Sequence, residues 1–229
     1  SEMCIRDRDS LMAGNFGGAS ALYERLAGLH PATAGFRFGL ALARGFQGDA
    51  EGCREAMLEA YEYDGGYLRG FFQLANVLAA NGQYEAGKAL IETSDLSKIL
   101  SGMELNYQKG IFFYNAGRPF DAITVLEKVS QQQPNDFALQ TLLFRAHRAT
   151  GVPERTVQAI EKLRRLDEER LKRDMPWAFR ELGELYEEAR IWGNALEAYE
   201  IFLEIAPGDT AADDVRRRAA EMRRRLGTD

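Results

Sequence analysis

Apolar residues along this chain recur in steps of three and four, broken by short polar stretches. That spacing places them on one face of an α-helix. The stretch from Pro176 to Pro207 shows it most plainly. Phe179, Leu182, Gly183 and Tyr186 share one face; after a break at Arg190, Trp192, Ala195, Tyr199 and Phe202 share one face of a second helix, which Pro207 ends. Large positions alternate with small ones. Gly183 and Ala195 leave gaps that Tyr186 and Tyr199 can fill, so two helices can approach closely and interlock.

The paired pattern recurs upstream. Glycines expected at inter-helix turns stand at 14, 48, 82, 117 and 151, at intervals of 34, 34, 35 and 34. Glycine past a helix end supplies the left-handed conformation that reverses the chain. In the first unit only the second helix keeps its pattern: Phe16, Ala19, Tyr23 and Leu26, closed by Pro31. The second unit pairs helices near 33–46 and 49–63, with Leu40, Ala41, Cys53, Met57 and Ala60 inside. The third has Phe71, Leu74, Ala75 and Leu78, then Tyr84, Gly87 and Ile91; where a proline is expected it predicts a shortened helix and a compact irregular turn near 94–102. The fourth uses Gly110, Phe113, Ala122, Leu126 and Val129, and the fifth Leu143, Phe144, His147, Ile160 and Leu163. Pro119 and Pro153 fit the first turn of a helix, where a missing N–H costs nothing.

This pattern resembles the tetratricopeptide repeat, a helix–turn–helix unit of about 34 residues, with Phe179 in place of its Trp and Tyr199 in place of its Phe. The resemblance implies an all-α fold: a right-handed α-α superhelical solenoid of about six repeats. The expected repeats cover 9–31, 32–65, 66–102, 103–135, 136–174 and 175–208, with a capping helix at 209–226. The second helix of the fifth repeat is expected to run on through the charged stretch ending at Asp174, an insertion of about five residues against the usual period. Such an insertion reads as a loop at a functional rim or as a plain spacer. In the last helix Val215, Ala219, Met222 and Leu226 form one apolar stripe, with Asp213 and Asp214 near its start and Arg223, Arg224 and Arg225 near its end. The charges suit the helix dipole, and the stripe suits the end of a solenoid. The alternative, a basic RNA- or lipid-binding tail, is disfavoured by the interleaved aspartates and the acidic chain.

Residues 3–8, MetCysIleArgAspArg, are what ATG-TGT-ATA-AGA-GAC-AG encodes, a DNA resembling the transposon end used to fragment libraries for sequencing. Residues 1–8 are therefore expected to be a non-native leader, set aside from fold reasoning. The repeat register agrees: its first-helix packing positions fall on Met3, Arg6, Asp7 and Ser10, mostly wrong for an interior. A frayed natural terminus is the other reading.

Composition narrows the chemistry. A net charge of −6 in 229 residues argues against broad nucleic-acid binding. No apolar run approaches the ~18 residues a membrane helix needs, so no membrane insertion is expected. Two cysteines, Cys4 and Cys53, make no disulfide framework, and Cys53 falls on a core position as a small apolar residue. Two histidines, His30 and His147, sit at helical positions that suit capping or packing, and no CxxC is present, so no metal or other cofactor is expected. No P-loop, GxGxxG, GxSxG or HExxH occurs, and Glu181, Glu184, Glu187 and Glu188 read as a solvated helix face. No catalytic residue is expected. The compartment stays open between cytoplasm and periplasm.

In the family this chain resembles, first helices line a concave groove. For the middle units, projection onto that face selects Phe38, Leu42, Phe46, Arg69, Phe72, Asn76, Tyr107, Ile111, Tyr114, Asn115, Thr141, Arg145 and Arg148. Aromatics, Asn and Arg are types enriched at binding surfaces. Asparagine can hold a peptide backbone through donor and acceptor, and arginine a carboxylate through two bonds. The competing reading is that several of these residues are inter-repeat core. Some family members hold a chaperone's C-terminal carboxylate with a Lys/Asn/Asn/Lys/Arg clamp. Asn76 matches one clamp position, but Phe72, Gln108, Ala138 and Leu142 stand where Lys, Asn, Lys and Arg belong, so that clamp is not expected. The resemblance thus implies a scaffold that binds a peptide or helix of a partner protein. The alternative is the C-terminal part of a larger enzyme or cell-envelope assembly protein, and self-association through the terminal repeat is a third expectation.

Overall fold

The computed structural model describes residues 14–228, and among them every regular element is helical. The expected leader at 1–8, the positions Met3, Arg6, Asp7 and Ser10, and Cys4 lie outside the described residues. The chain divides into two compact units, residues 1–129 and 130–229.

In the first unit, α1 (Phe16–Leu29), α2 (Ala34–Phe46) and α3 (Ala50–Tyr63) are followed by a 3-10 turn at Gly65–Tyr67. Then come α4 (Leu68–Ala80), α5 (Tyr84–Ile91), the one-turn α6 (Leu96–Ile99) and α7 (Gly102–Asn115); α8 (Pro119–Gln132) runs across the division. The starts are set locally. Asn15, Asp49 and Ser101 accept the N–H of Gly18, Gly52 and Glu104, each meeting one of the donors a helix N-terminus leaves open. The turns are set by glycine: Gly14, Gly48, Gly82, Gly117 and Gly151 have φ of 72°, 79°, 83°, 70° and 70°.

The apolar stripes meet inside: Leu40, Met57, Phe71, Leu74, Leu78, Leu90, Phe112 and Leu126 are buried. Gly110 brings α7 against α8, since a Cβ there would lie 2.3 Å from Leu126 Cδ2. The irregular ending after α5 is built around Asp95. Thr93 Oγ1 donates to it at 3.1 Å, Lys98 pairs with it at 2.8 Å, Arg54 lies 3.6 Å away, and Leu96 is fully buried beside it.

The second unit holds α9 (Phe137–Ala149), α10 (Pro153–Asp174), α11 (Trp177–Glu188), α12 (Trp192–Ile205) and α13 (Ala212–Leu226). Its core joins Phe144, Ile160, Leu163, Phe179, Tyr199 and Phe202 to Val215, Ala219 and Met222 of α13. Burying a side chain of this size is worth roughly 1.5–3 kcal/mol. A Cβ on Gly183 would lie 2.4 Å from the Tyr199 ring, so α11 and α12 interlock at that pair.

Three sequence expectations need correction. The charged run to Asp174 is not one continuous helix: Asp167 has φ −162° and ψ 89° and its Oδ1 accepts from Arg170 N at 2.9 Å, so it ends one helix and caps the next. The inserted residues accordingly form a helical turn rather than a loop, and Leu171 and Met175 are buried in the core. Along this run Arg164–Glu168 (3.0 Å) and Lys172–Glu168 (3.1 Å) still pair across single turns. His30 takes the capping position expected of it: it closes α1, its N–H donating to the Leu26 carbonyl. Leu226, the last member of the apolar stripe of α13, does not join the core with the other three: it is 41% exposed because the helix ends there.

Candidate binding surface

In the first unit the projected residues fall on α2, α4 and α7. Phe38, Leu42, Phe46, Phe72, Asn76, Tyr107, Ile111 and Tyr114 are half-buried, and Arg69 and Asn115 are exposed. The structure joins two of them directly. Asn115 Nδ2 on α7 donates to Asn76 Oδ1 on α4 at 2.8 Å, while Asn76 Nδ2 donates to the Phe72 carbonyl at 2.7 Å. The Asn115 carbonyl oxygen and one N–H on each amide remain available, because a primary amide carries two donors and an acceptor with two lone pairs. The two helices thus present a cross-braced donor–acceptor pair flanked by Phe72.

A hollow of about 500 Å³ lies at the start of α4, lined by Phe38, Asp64, Gly66, Tyr67, Arg69, Gly70 and Gln73. The Phe38 and Tyr67 rings tilt against each other at 5.5 Å, and Arg69 has no ion-pair partner among the described residues. Phe46 stands apart from this group: its ring stacks on Phe16 of α1 at 4.8 Å and helps hold α1 to α2.

In the second unit Thr141, Arg145 and Arg148 lie on α9. Thr141 Oγ1 donates to the Phe137 carbonyl at 2.8 Å. Arg148 bridges to α11: its Nε donates to Glu181 Oε1 at 2.8 Å and its guanidinium lies 5.0 Å over the Trp177 ring, which stacks on Phe144 at 5.7 Å. Arg145 is exposed, with no partner among the described residues.

Sequence projection missed several contributors. Tyr67 sits in the 3-10 turn before α4, outside the helical period, and Trp177 opens α11 one residue past Pro176. A second hollow, of about 240 Å³, lies between the starts of α10 and the end of α11, lined by Pro153, Val157, Leu185, Tyr186 and Ile191. Arg37 is also unforeseen. It is buried, pairs with Glu59 at 3.1 Å, donates to the Pro31 carbonyl at 2.5 Å and covers the Tyr63 ring at 4.0 Å. It fastens the α1–α2 turn to α3, and an isolated Arg on an apolar face was the available signal. Cys53 lies fully buried, and burial pushes its thiol up to about 12. Among the described residues no group of His, Cys, Asp or Glu could hold a metal ion, and no helix is long and apolar enough to cross a membrane.

No protein-family model matches the sequence, and no curated protein matches it. Solved structures do. YrrB, described as a TPR protein with an unusual peptide-binding site, superposes with a TM-score of 0.52 at 16% identity over 85% of this chain and 97% of its own. The C-terminal part of a TPR repeat-containing protein from Cytophaga hutchinsonii superposes with a TM-score of 0.56 at 14% identity, over 92% of this chain and 98% of its own. Paired helices, left-handed turns at near-constant spacing and these two likenesses agree: the chain has the all-α tetratricopeptide-repeat fold.

Proposed function

We propose that the chain is a protein-binding scaffold, and that the first unit takes an extended segment of a partner protein across α4 and α7. The observation that carries this is the Asn76–Asn115 bond, which fixes two amides on neighbouring helices with donors and an acceptor still open. A helical ligand has little use for them, since its own main-chain groups are already paired within the helix. An extended segment has both groups free, and Phe72, Tyr107, Ile111 and Tyr114 flank the pair as apolar contacts for its side chains. The fold supports the reading by likeness, and YrrB is itself described as having a peptide-binding site.

Selecting peptides from a random displayed library on the whole chain, then titrating them calorimetrically, tests this. The expected result is that Asn76→Ala with Asn115→Ala weakens the selected peptides at least tenfold, and that Phe72→Ala, Tyr107→Ala and Tyr114→Ala together abolish binding, with the helical circular dichroism unchanged. Selected peptides that bind both variants as tightly as the parent would reject this surface.

A further inference from the structure

The α9–α11 face of the second unit carries three guanidiniums whose donors are not used up. Arg148 is held in two ways: Glu181 takes its Nε at 2.8 Å, and Trp177 supports its plane at 5.0 Å. Its two Nη groups have no hydrogen-bond partner among the described residues, and the side chain is 54% exposed. Arg145, one turn earlier on the same helix, is exposed and unpaired. On α11, Arg180 has a buried Nε with no hydrogen bond, the nearest carboxylate oxygen being Glu184 Oε1 at 3.7 Å. The contrast within the unit is plain: the arginines of α13 all pair with carboxylates. A guanidinium fixed at its Nε and stacked on an aromatic ring has lost most of its freedom before any ligand arrives. Less ordering is then required when its remaining fork closes on a carboxylate.

We infer that this face docks an acidic segment of a partner protein, two of whose carboxylate side chains engage Arg145 and Arg148. Spacing selects the segment. Side chains three residues apart on a helix lie about 5–6 Å apart at Cβ. In an extended chain, alternate residues point the same way and stand about 6.6 Å apart, so the matching sequence is acidic–any–acidic. Nucleic acid fits less well, because it asks for many phosphate contacts along a basic surface, whereas Glu181 and Glu184 interrupt this face and leave open forks for only a few carboxylates. The inference stands on the second unit alone and does not depend on the Asn76–Asn115 pair.

The test uses the full chain with Trp192→Phe, which leaves Trp177 as the fluorophore beside Arg148. The probe is an N-acetylated, C-amidated peptide centred on Glu-Gly-Glu, which offers side-chain carboxylates and no terminal one. A saturable change in Trp177 emission is expected. Its Kd should rise at least tenfold with Arg148→Gln or Arg145→Gln, less with Arg148→Lys, and hardly at all with Arg69→Gln in the first unit. Calorimetry on the unaltered chain repeats the measurement without the tryptophan change. Equal binding of the Gln-Gly-Gln peptide, indifference to Arg145→Gln and Arg148→Gln, or tighter binding of a single-stranded oligonucleotide would each overturn the inference.

Discussion

Gly183→Ala should destabilise the second unit even though it puts a better helix former into α11. The added Cβ would lie 2.4 Å from both Cδ1 and Cε1 of Tyr199, against the ~3.5–4.0 Å of an ordinary carbon–carbon contact. The ring must give by about 1 Å. It has little room, being fully buried with its hydroxyl donating to Glu187 Oε2 at 2.6 Å. Burial, and then that bond, push the hydroxyl well above the usual phenol range, so it stays a donor to Glu187 at any ordinary pH. Overpacking of this kind costs about 1–3 kcal/mol, and a required movement of this size places it near the top. Replacing glycine by alanine within a helix returns about 1 kcal/mol, which leaves a net loss of about 2 kcal/mol. Trp177 and Trp192 both lie in this unit, so urea unfolding followed by their emission reports on it. With a slope of about 2 kcal/mol per molar, the midpoint should fall by about 1 M. In a Tyr199→Leu background the same substitution should be neutral or stabilising. An unchanged or raised midpoint in the parent chain would refute the close-packing argument.

Arg190 is the one described non-glycine residue with positive φ, at 59°, where five other turns carry glycine; Arg190→Gly should stabilise by roughly 0.5–1 kcal/mol, and a lowered melting temperature would count against a left-handed turn there. Asp167→Ala removes the cap on Arg170 N and should cost about 1 kcal/mol, read as a lower urea midpoint, with the N–H of Arg170 exchanging faster. With Cys4 replaced by Ser, the Cys53 thiol should resist a disulfide reagent until the chain unfolds, so labelling and unfolding rates should rise together in urea. Because burial raises the Cys53 value from 9.0 to about 12, its contribution to stability is full below 9.0 and is lost as pH rises toward 12; Cys53→Ala should flatten that alkaline slope.

The helices were legible because each apolar stripe obeys one period and each turn carries its own glycine. Phe71, Leu74, Leu78, Phe179, Tyr199 and Phe202 are buried as their spacing predicts. The break at Asp167 was not legible. Charged residues on both sides keep helical pairings across single turns, and nothing in composition separates an aspartate that caps from one that merely faces water. Leu171 and Met175 were the overlooked sign, two apolar residues inside a charged run. Projection onto a face recovered Asn76, Asn115 and Arg148, whose contacts cross between first helices. It could not supply Tyr67, which sits in the 3-10 turn before α4, and it covered the middle units alone, so Trp177 of α11 fell outside it. Arg37 escaped for another reason: Glu59 and Tyr63, one turn apart on α3, lie more than twenty residues from it, and only the folded chain brings them with Pro31 around one guanidinium.

Stacked helix pairs have an inherent hazard, since the greasy flank that welcomes the next pair would equally welcome another molecule and so seed a fibre. Here Val215, Ala219 and Met222 of α13 pack over that flank, and Arg218, steadied within its own helix by Asp214 at 2.8 Å, ties α13 to Glu187 of α11 at 3.0 Å. The outward side of α13 shows Arg216, Arg217 and Arg224, each paired with a carboxylate of the same helix, so the surface it offers in place of the apolar flank is a charged, hydrated one. A second molecule seeking that flank of α12 would first have to pry α13 away.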